Sequence, residues 1–280
     1  MEIVLDIPAA IKRLDAVRGL VAAKEMTDFW HQCVRDIDNK WGDYTKIRSL
    51  EGTRYFYGHQ PSIDYSNKGE LNLLLVNINI RTDIYITLQN DIPKNVADFQ
   101  NWIISLRSKM EYRPTEEWKL DIHATTTHTD IVKQDVIRIA REYEDPYAKG
   151  IVAGPVFTEF PDAAQPKDEA DGEYIRHTYP SLEYKDIYFE AAHLQLLNLL
   201  SSRHTKQSYI YGVALLYQLL INLHYFPSIN TSLYMNIVNG LLEIAGIKGV
   251  DHGIKDFVAM RLQPNNYQRY FYDEVIVRNG

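Results

Sequence analysis

Residues 215–246 read LLYQLLINLHYFPSINTSLYMNIVNGLLEIAG, and this stretch decides the fold of the C-terminal half of the chain. It begins and ends with apolar runs, which are interrupted by HYFPSI at residues 224–229. Because Pro227 cannot continue a helix and holds the residue before it extended, the interruption predicts a tight turn between two helices. The first helix, residues 209–223, is apolar nearly all round, which predicts a central position in the fold.

The start of the second helix is a candidate binding site. Asn230, Thr231 and Ser232 offer good N-cap side chains, and Gly246 suits the C-terminal stop. The first turn of a helix has unpaired N–H groups and the positive end of the helix dipole, which together favour anions. His224 lies just before this site, where a histidine can act as a general base. The alternative interpretation is a loop histidine hydrogen-bonded to its own turn.

Hydrophobic periodicity predicts further elements outside this stretch. Apolar positions recur at helical spacing in residues 9–41, 91–110, 129–144, 187–201, 254–260 and 265–275. In residues 71–88 the apolar positions alternate on both sides of Arg81, Thr82 and Asp83, which predicts a β-hairpin with one buried face.

Residues 150–173 form the clearest break in the pattern. They contain three prolines and the acidic run 168–171, both of which oppose regular structure and predict a loop. The fold class predicted is therefore α+β and mostly helical. It comprises an N-terminal α+β region with the β-hairpin at 1–150, a loop or linker at 151–173, and a helical domain at 174–280.

Composition limits the classes of partner. The 280 residues carry a net charge of −7 with scattered basic residues, so no nucleic-acid partner is expected. No apolar run approaches the roughly 20 residues that a membrane helix needs, so no membrane partner is expected either. The single cysteine, Cys33, fits a reducing compartment, and the acidic N-terminal segment predicts no signal peptide. We expect a cytoplasmic protein, in the producing cell or, for an effector, in its host.

The turn and the second helix resemble the signature of Fic-domain proteins, H-P-F-x-[DE]-G-N-G-R-x-x-R. His224, Phe226 and Asn230 stand at matching positions. Upstream, residues 172–176 (GEYIR) are similar to the G-x-[YF]-R of the family's β-hairpin flap, with one extra residue before the arginine. The resemblance covers roughly residues 170–275 and implies a Fic-like helical core in the C-terminal half.

The resemblance also implies roles for individual residues. His224 would remove the proton from a hydroxyl of a target protein, and Phe226 would anchor the loop in the core. A nucleotide or nucleotide-sugar cofactor would lie against Ser228, Asn230, Thr231 and Ser232. The flap would hold the target segment by strand addition, through Tyr174, Arg176 and Thr178.

Several positions depart from the family pattern. Ser228 replaces the acidic residue that holds Mg²⁺, and a lone serine hydroxyl is a poor ligand for a hard cation, so no metal is expected. The β-branched Ile229 and Thr231 replace glycines that let backbone N–H groups approach phosphates. Ser232 and Met235 replace arginines that clamp the departing phosphates. The sequence therefore predicts that ordinary Mg·ATP-dependent AMP transfer is lost.

Two functions remain open at this stage. One is a pseudoenzyme of Fic-like fold that acts by binding a protein or a nucleotide. The other is a Fic-like transferase that modifies a protein hydroxyl, with His224 as base and a non-standard donor. The 20 tyrosines favour protein binding, because tyrosine joins a large contact area to a polar tip.

Overall fold

The described part of the chain is mostly helical and includes a small antiparallel sheet. The computed structural model describes residues 2–22, 67–110, 125–128, 130–149, 155–171, 174–201, 203–226, 229–250 and 254–279. The helices are α1 (Ile7–Ala22), α2 (Asn67–Asn90), α3 (Val96–Lys109), α4 (Asp130–Glu142), α5 (Lys185–Ser201), α6 (Lys206–Leu223), α7 (Asn230–Ile244), α8 (Lys255–Ala259) and α9 (Pro264–Asn279). The strands are β1 (Thr125–His128), β2 (Lys167–Asp171) and β3 (Tyr174–Thr178).

The helices predicted for the C-terminal half are confirmed to within a few residues by α5 to α9. The predicted central helix is α6, which contacts α5, α8 and α9 and whose side chains from Leu216 to Leu223 are all buried. The predicted helices at 91–110 and 129–144 correspond to α3 and α4. A Fic-like arrangement of these helices stays a prediction.

The predicted β-hairpin at 71–88 is wrong, because this segment lies within the continuous helix α2. Its described buried side chains recur at helical spacing: Asn77, Ile78, Ile80, Arg81, Ile84, Tyr85 and Leu88. Asn77 and Arg81 among them are polar. Arg81, expected in the hairpin turn, is fully buried and forms an ion pair with Glu243 at 3.2 Å. The alternation of apolar residues was misleading because Asn77 and Arg81 belong to the buried face.

The acidic run predicted to lie in a solvated loop belongs to strand β2 instead. Alternation along a strand sends neighbouring carboxylates to opposite faces. The Asp168 side chain is only 3% exposed, whereas Glu169 faces solvent. The remainder of the described break, residues 155–166, has no strand and only a short 3₁₀ turn at Asp162–Ala164.

Strand β3 is the centre of the sheet, whose order is β1-β3-β2. Both of its neighbours pair with it antiparallel, and β2 and β3 form a hairpin. The register places Asp168 directly opposite His177.

The chain divides into two compact units. One comprises Met1–Val4, Pro93–Tyr234 and Ile254–Gly280, and the other comprises Leu5–Ile92 and Met235–Gly253. The first contains the sheet, and the division falls within α7. The predicted boundaries at 150 and 174 stay a prediction, and residues 23–41 with Cys33 lie outside the described part of the chain.

In the second unit, a carboxamide holds the segment after α7. The Asn239 side chain accepts a hydrogen bond from the Val250 N–H at 2.8 Å and donates one to the Val250 carbonyl oxygen at 2.8 Å. Gly249 leaves room for this contact, since a Cβ there would lie 2.7 Å from Asn239 Oδ1. No helix within the described ranges is both long and apolar enough to cross a lipid bilayer.

Candidate functional site

His224 ends helix α6 in a left-handed conformation. Its φ is 44° and its ψ 53°, and its N–H donates to the Leu220 carbonyl oxygen at 3.2 Å. Histidine tolerates this region better than most residues with a Cβ. The conformation turns the chain out of the helix at the position where the sequence predicted the break.

The His224 ring stacks on the Tyr179 ring, which follows strand β3. The ring centroids are 3.9 Å apart and the planes are inclined by 15°. Tyr179 also packs edge-on against His177, with ring centroids 4.8 Å apart. The rings of His224, Tyr179 and His177 therefore form one continuous aromatic cluster. The turn after α6 and the end of the predicted flap are thereby brought together.

Burial sets the charge state of His224. Loss of hydration, reinforced by the neighbouring His177, lowers the pKa of His224 from 6.5 to about 4. The imidazole is therefore neutral at neutral pH. Its Nδ1 is buried and has no hydrogen-bond partner among the described residues. A neutral ring with an unused nitrogen can accept a proton, although a pKa near 4 makes it a weak base.

Asn230, predicted to line a cofactor site, holds the turn together. Its Oδ1 accepts the Phe226 N–H at 3.0 Å, and its Nδ2 donates to the Phe226 carbonyl oxygen at 2.6 Å. The Tyr234 hydroxyl donates to the same Oδ1 at 3.2 Å. The Asn230 carboxamide is thus engaged on both its oxygen and its nitrogen within the protein. Phe226 is buried, as expected for an anchor of the loop.

Ile229 adopts a positive φ of 69°. This is the position where the Fic pattern has a glycine, and for a β-branched residue the left-handed region is strained. The backbone of a glycine-type turn is therefore present here without a glycine. Ser228, which precedes it, lies outside the described residues.

The N-terminus of α7 has a carboxylate of the protein beside it. The Thr231 hydroxyl donates to Asp256 Oδ2 at 3.3 Å, and Asp256 is buried. A negative charge at a helix N-terminus stabilises the helix, so Asp256 stabilises α7 from the position where a phosphate would bind. The same charge would repel an incoming phosphate. Ser232 is buried beneath this first turn.

The flap residues predicted to hold a target lie on the central strand. Tyr174 pairs with Asp171, Arg176 with both Glu169 and Thr127, and Thr178 with Lys167 and Thr125. Because β3 has a neighbour on each side, strand addition to it requires β1 or β2 to move. The edges of this sheet belong to β1 and β2 instead.

A buried polar network beneath this site was missed from the sequence. The His177 Nδ1–H donates to Asp168 Oδ1 at 2.6 Å, and Arg261 Nε donates to Asp168 Oδ2 at 2.9 Å and to the Tyr147 hydroxyl at 3.1 Å. One signal was available: Asp168 and His177 are equally far in the sequence from the midpoint between the two strands, as cross-strand partners of adjacent antiparallel strands are.

The network is charge-balanced because His177 is neutral. Burial lowers the pKa of His177 despite the adjacent carboxylate, so the contact is a hydrogen bond from a neutral ring rather than an ion pair. Burial alone would raise the pKa of Asp168, but the hydrogen bond from His177 and the charge of Arg261 together hold it below its ordinary value. Asp168 and Arg261 thus form a buried ion pair.

No group of three or more histidine, cysteine, aspartate or glutamate side chains in the described part of the chain is arranged to bind a metal ion. The sequence matches no protein-family model and no curated protein.

Proposed function

We propose that this chain is a diverged Fic-like protein that lacks ordinary Mg·ATP-dependent AMP transfer and acts by binding a partner protein. The observation that carries the proposal is the Asp256 carboxylate against Thr231 at the N-terminus of α7. In a nucleotide transferase of this kind, that helix end must accept phosphates. A buried carboxylate in the same place opposes their approach.

The hydrogen bonds that the Asn230 side chain makes within the turn support the same conclusion. Its carboxamide closes the turn on Phe226 through both its oxygen and its nitrogen, so turning it toward a ligand phosphate would open that turn. The two glycine positions of the Fic pattern are Ile229 and Thr231 in this chain, and its two arginine positions are Ser232 and Met235. Nucleotide binding by a pseudoenzyme is the weaker form of the proposal for these reasons.

A nucleotide-binding panel tests the proposal. Thermal unfolding of the wild type and of Asp256→Asn is measured with nucleotides and nucleotide-sugars, each with and without Mg²⁺. A ligand at about a hundred times its Kd adds about 2.7 kcal/mol to the unfolding free energy, which is readily detected as a rise in Tm. We expect no rise for the wild type. A rise for the wild type with any nucleotide overturns the protein-binding proposal, whereas a rise only in Asp256→Asn identifies Asp256 as the obstacle.

A second candidate function is transfer of a group to a protein hydroxyl with His224 as base. The neutral imidazole with its unpartnered Nδ1 favours this candidate. His224 would take the hydroxyl proton as the oxygen attacks the donor, whose leaving group departs. Incorporation of label from a radiolabelled donor into partner protein, present in the wild type and lost in His224→Asn, would establish it.

A further inference from the structure

A groove lies on the first unit, between residues 156–160, helix α5, helix α6 and the start of α9. Its volume is about 540 Å³, within the range of ligand-binding clefts in proteins. The apolar part of its lining includes Val156, Phe160, Leu194, Leu215, Leu219 and Pro264. It involves none of the residues discussed around His224.

The groove exposes apolar side chains to an unusual degree. Leu194 is 68% exposed and Val156 44% exposed, and both are among the most exposed large apolar residues of the described chain. Leu215 is half-buried although it belongs to the central helix α6. A concave surface with adjoining exposed leucine and valine is typical of an interaction site.

One wall of the groove is held rigidly. The Gln165 side chain accepts the Phe157 N–H at 3.0 Å and donates to the Phe157 carbonyl oxygen at 2.7 Å. The Phe160 ring packs edge-on against Tyr188 with centroids 4.7 Å apart, and the Tyr188 hydroxyl donates to the Ala164 carbonyl oxygen at 2.8 Å. A preformed wall binds a ligand without a further ordering cost.

The polar part of the lining consists largely of carboxamides, namely Gln195, Gln263, Asn265 and Gln268. The side chains of Gln263, Asn265 and Gln268 make no hydrogen bond to other described residues. A carboxamide offers a donor and an acceptor in the arrangement that a peptide bond presents, so it can pair with both polar groups of a peptide backbone. Several such groups around an apolar cleft favour a peptide over a hydrocarbon ligand.

The charge of the groove is negative. Among the described residues that line it, Glu159 is the only charged one. The start of α9 provides no anion site, because Asp145 Oδ2 already accepts the Gln263 N–H at 2.8 Å and the Asn266 side chain at 2.9 Å. Phosphates and carboxylates are therefore disfavoured, and a lysine or arginine is complementary to Glu159.

We propose that this groove binds a short segment of a partner protein in which apolar side chains adjoin a lysine or arginine. The apolar side chains occupy the cleft over Leu215 and Leu219, the backbone pairs with the carboxamides, and the basic side chain meets Glu159. This names the partner class for the protein-binding function proposed above and rests on it.

A displayed library of random peptides tests the proposal. Peptides are selected on the full-length chain, and one enriched peptide is synthesised and titrated by fluorescence anisotropy. We expect enrichment of apolar residues next to lysine or arginine. Leu194→Lys and Glu159→Lys should each weaken binding by about tenfold or more, because each places a positive charge where the apolar and basic side chains of the peptide bind. Both positions are solvent-exposed, so the variants should fold, which circular dichroism verifies.

Matched controls lie outside the groove. Val277 is 83% exposed on α9, and Glu142 is exposed at the end of α4. Val277→Lys and Glu142→Lys should leave the affinity unchanged. Failure to enrich any peptide, enrichment of acidic peptides, or equal weakening by groove and control variants would overturn the proposal. Failure of the protein-binding function itself is a separate result: the nucleotide panel would show a rise in Tm for the wild type, and that rise would persist in Leu194→Lys.

Discussion

The imidazole of His224 lies flat against the phenol ring of Tyr179, with centroids 3.9 Å apart. This contact joins the end of α6 to the residue after β3. It also removes water from one face of the imidazole, which contributes to the lowered pKa of His224.

The lowered pKa predicts an acid-sensitive fold. Above pH 6.5, His224 is neutral whether the chain is folded or unfolded. Between pH 6.5 and about 4 the unfolded chain binds a proton that the folded chain does not, so the unfolding free energy falls as the pH falls. Across this pH interval the unfolding free energy falls by about 3 kcal/mol through His224.

His224→Asn isolates this effect, since asparagine tolerates the left-handed conformation and does not titrate. Urea unfolding at pH 7 and pH 4 should show a smaller loss of stability in the variant than in the wild type. Equal losses in the two proteins would mean that His224 is protonated in the folded state.

Asn230→Ala should destabilise the protein by about 2–4 kcal/mol, because it leaves the buried N–H and carbonyl oxygen of Phe226 without partners. Chemical denaturation measures the change. Asn90→Ala, at an exposed position at the end of α2, is the control and should change the stability by less than about 0.5 kcal/mol. A similar small effect at Asn230 would contradict the turn-closing role.

At position 229, the glycine variant should be more stable than the alanine variant. At most positions the alanine variant is the more stable of the two. Both substitutions remove the half-buried isoleucine side chain, but only glycine adopts a φ of 69° without strain. We expect Ile229→Gly to be more stable than Ile229→Ala by about 1 kcal/mol, as measured by thermal and chemical unfolding. The opposite order would show that the turn adopts a negative φ in solution.

Asp168→Ala should cost about 3–5 kcal/mol, since it leaves the Arg261 guanidinium buried without its carboxylate. Glu169→Ala, the exposed neighbour on the same strand, serves as the control and should be nearly neutral. Because the pKa of Asp168 is lowered, its contribution is present above pH 3.8 and is lost only as the pH falls below that value. Equal costs at 168 and 169 would argue against a buried ion pair.

The sequence was most informative where the apolar residues follow a single, helical period. Helices α5, α6 and α7 have long apolar stripes, and Pro227 marks the turn between α6 and α7, so both helices and the turn could be predicted. The prediction from sequence failed in α2, because polar residues there belong to the buried face of the helix. Arg81 lies inside because Glu243 and Asn236 meet it, and those partners are more than 150 residues away in the chain.

The candidate site was predictable to a similar extent. His224 and Asn230 lie in the turn where the pattern placed them, but the partners that set their chemistry come from distant segments. Tyr179 stacks on His224, and Asp256 approaches Thr231 from α8. No local sequence pattern predicts such contacts, because they form only when the helices pack together. The functional roles assigned to these residues stay predictions.

Three side-chain carboxamides each hold both backbone polar groups of one residue: Asn230 holds Phe226, Asn239 holds Val250, and Gln165 holds Phe157. In each case an NH₂ proton bonded to a carbonyl oxygen can exchange with deuterium only when that hydrogen bond breaks. The three amides are therefore natural reporters of local opening. A single NMR exchange experiment on unmodified protein would give separate opening free energies beside His224, beside the groove and within the second unit.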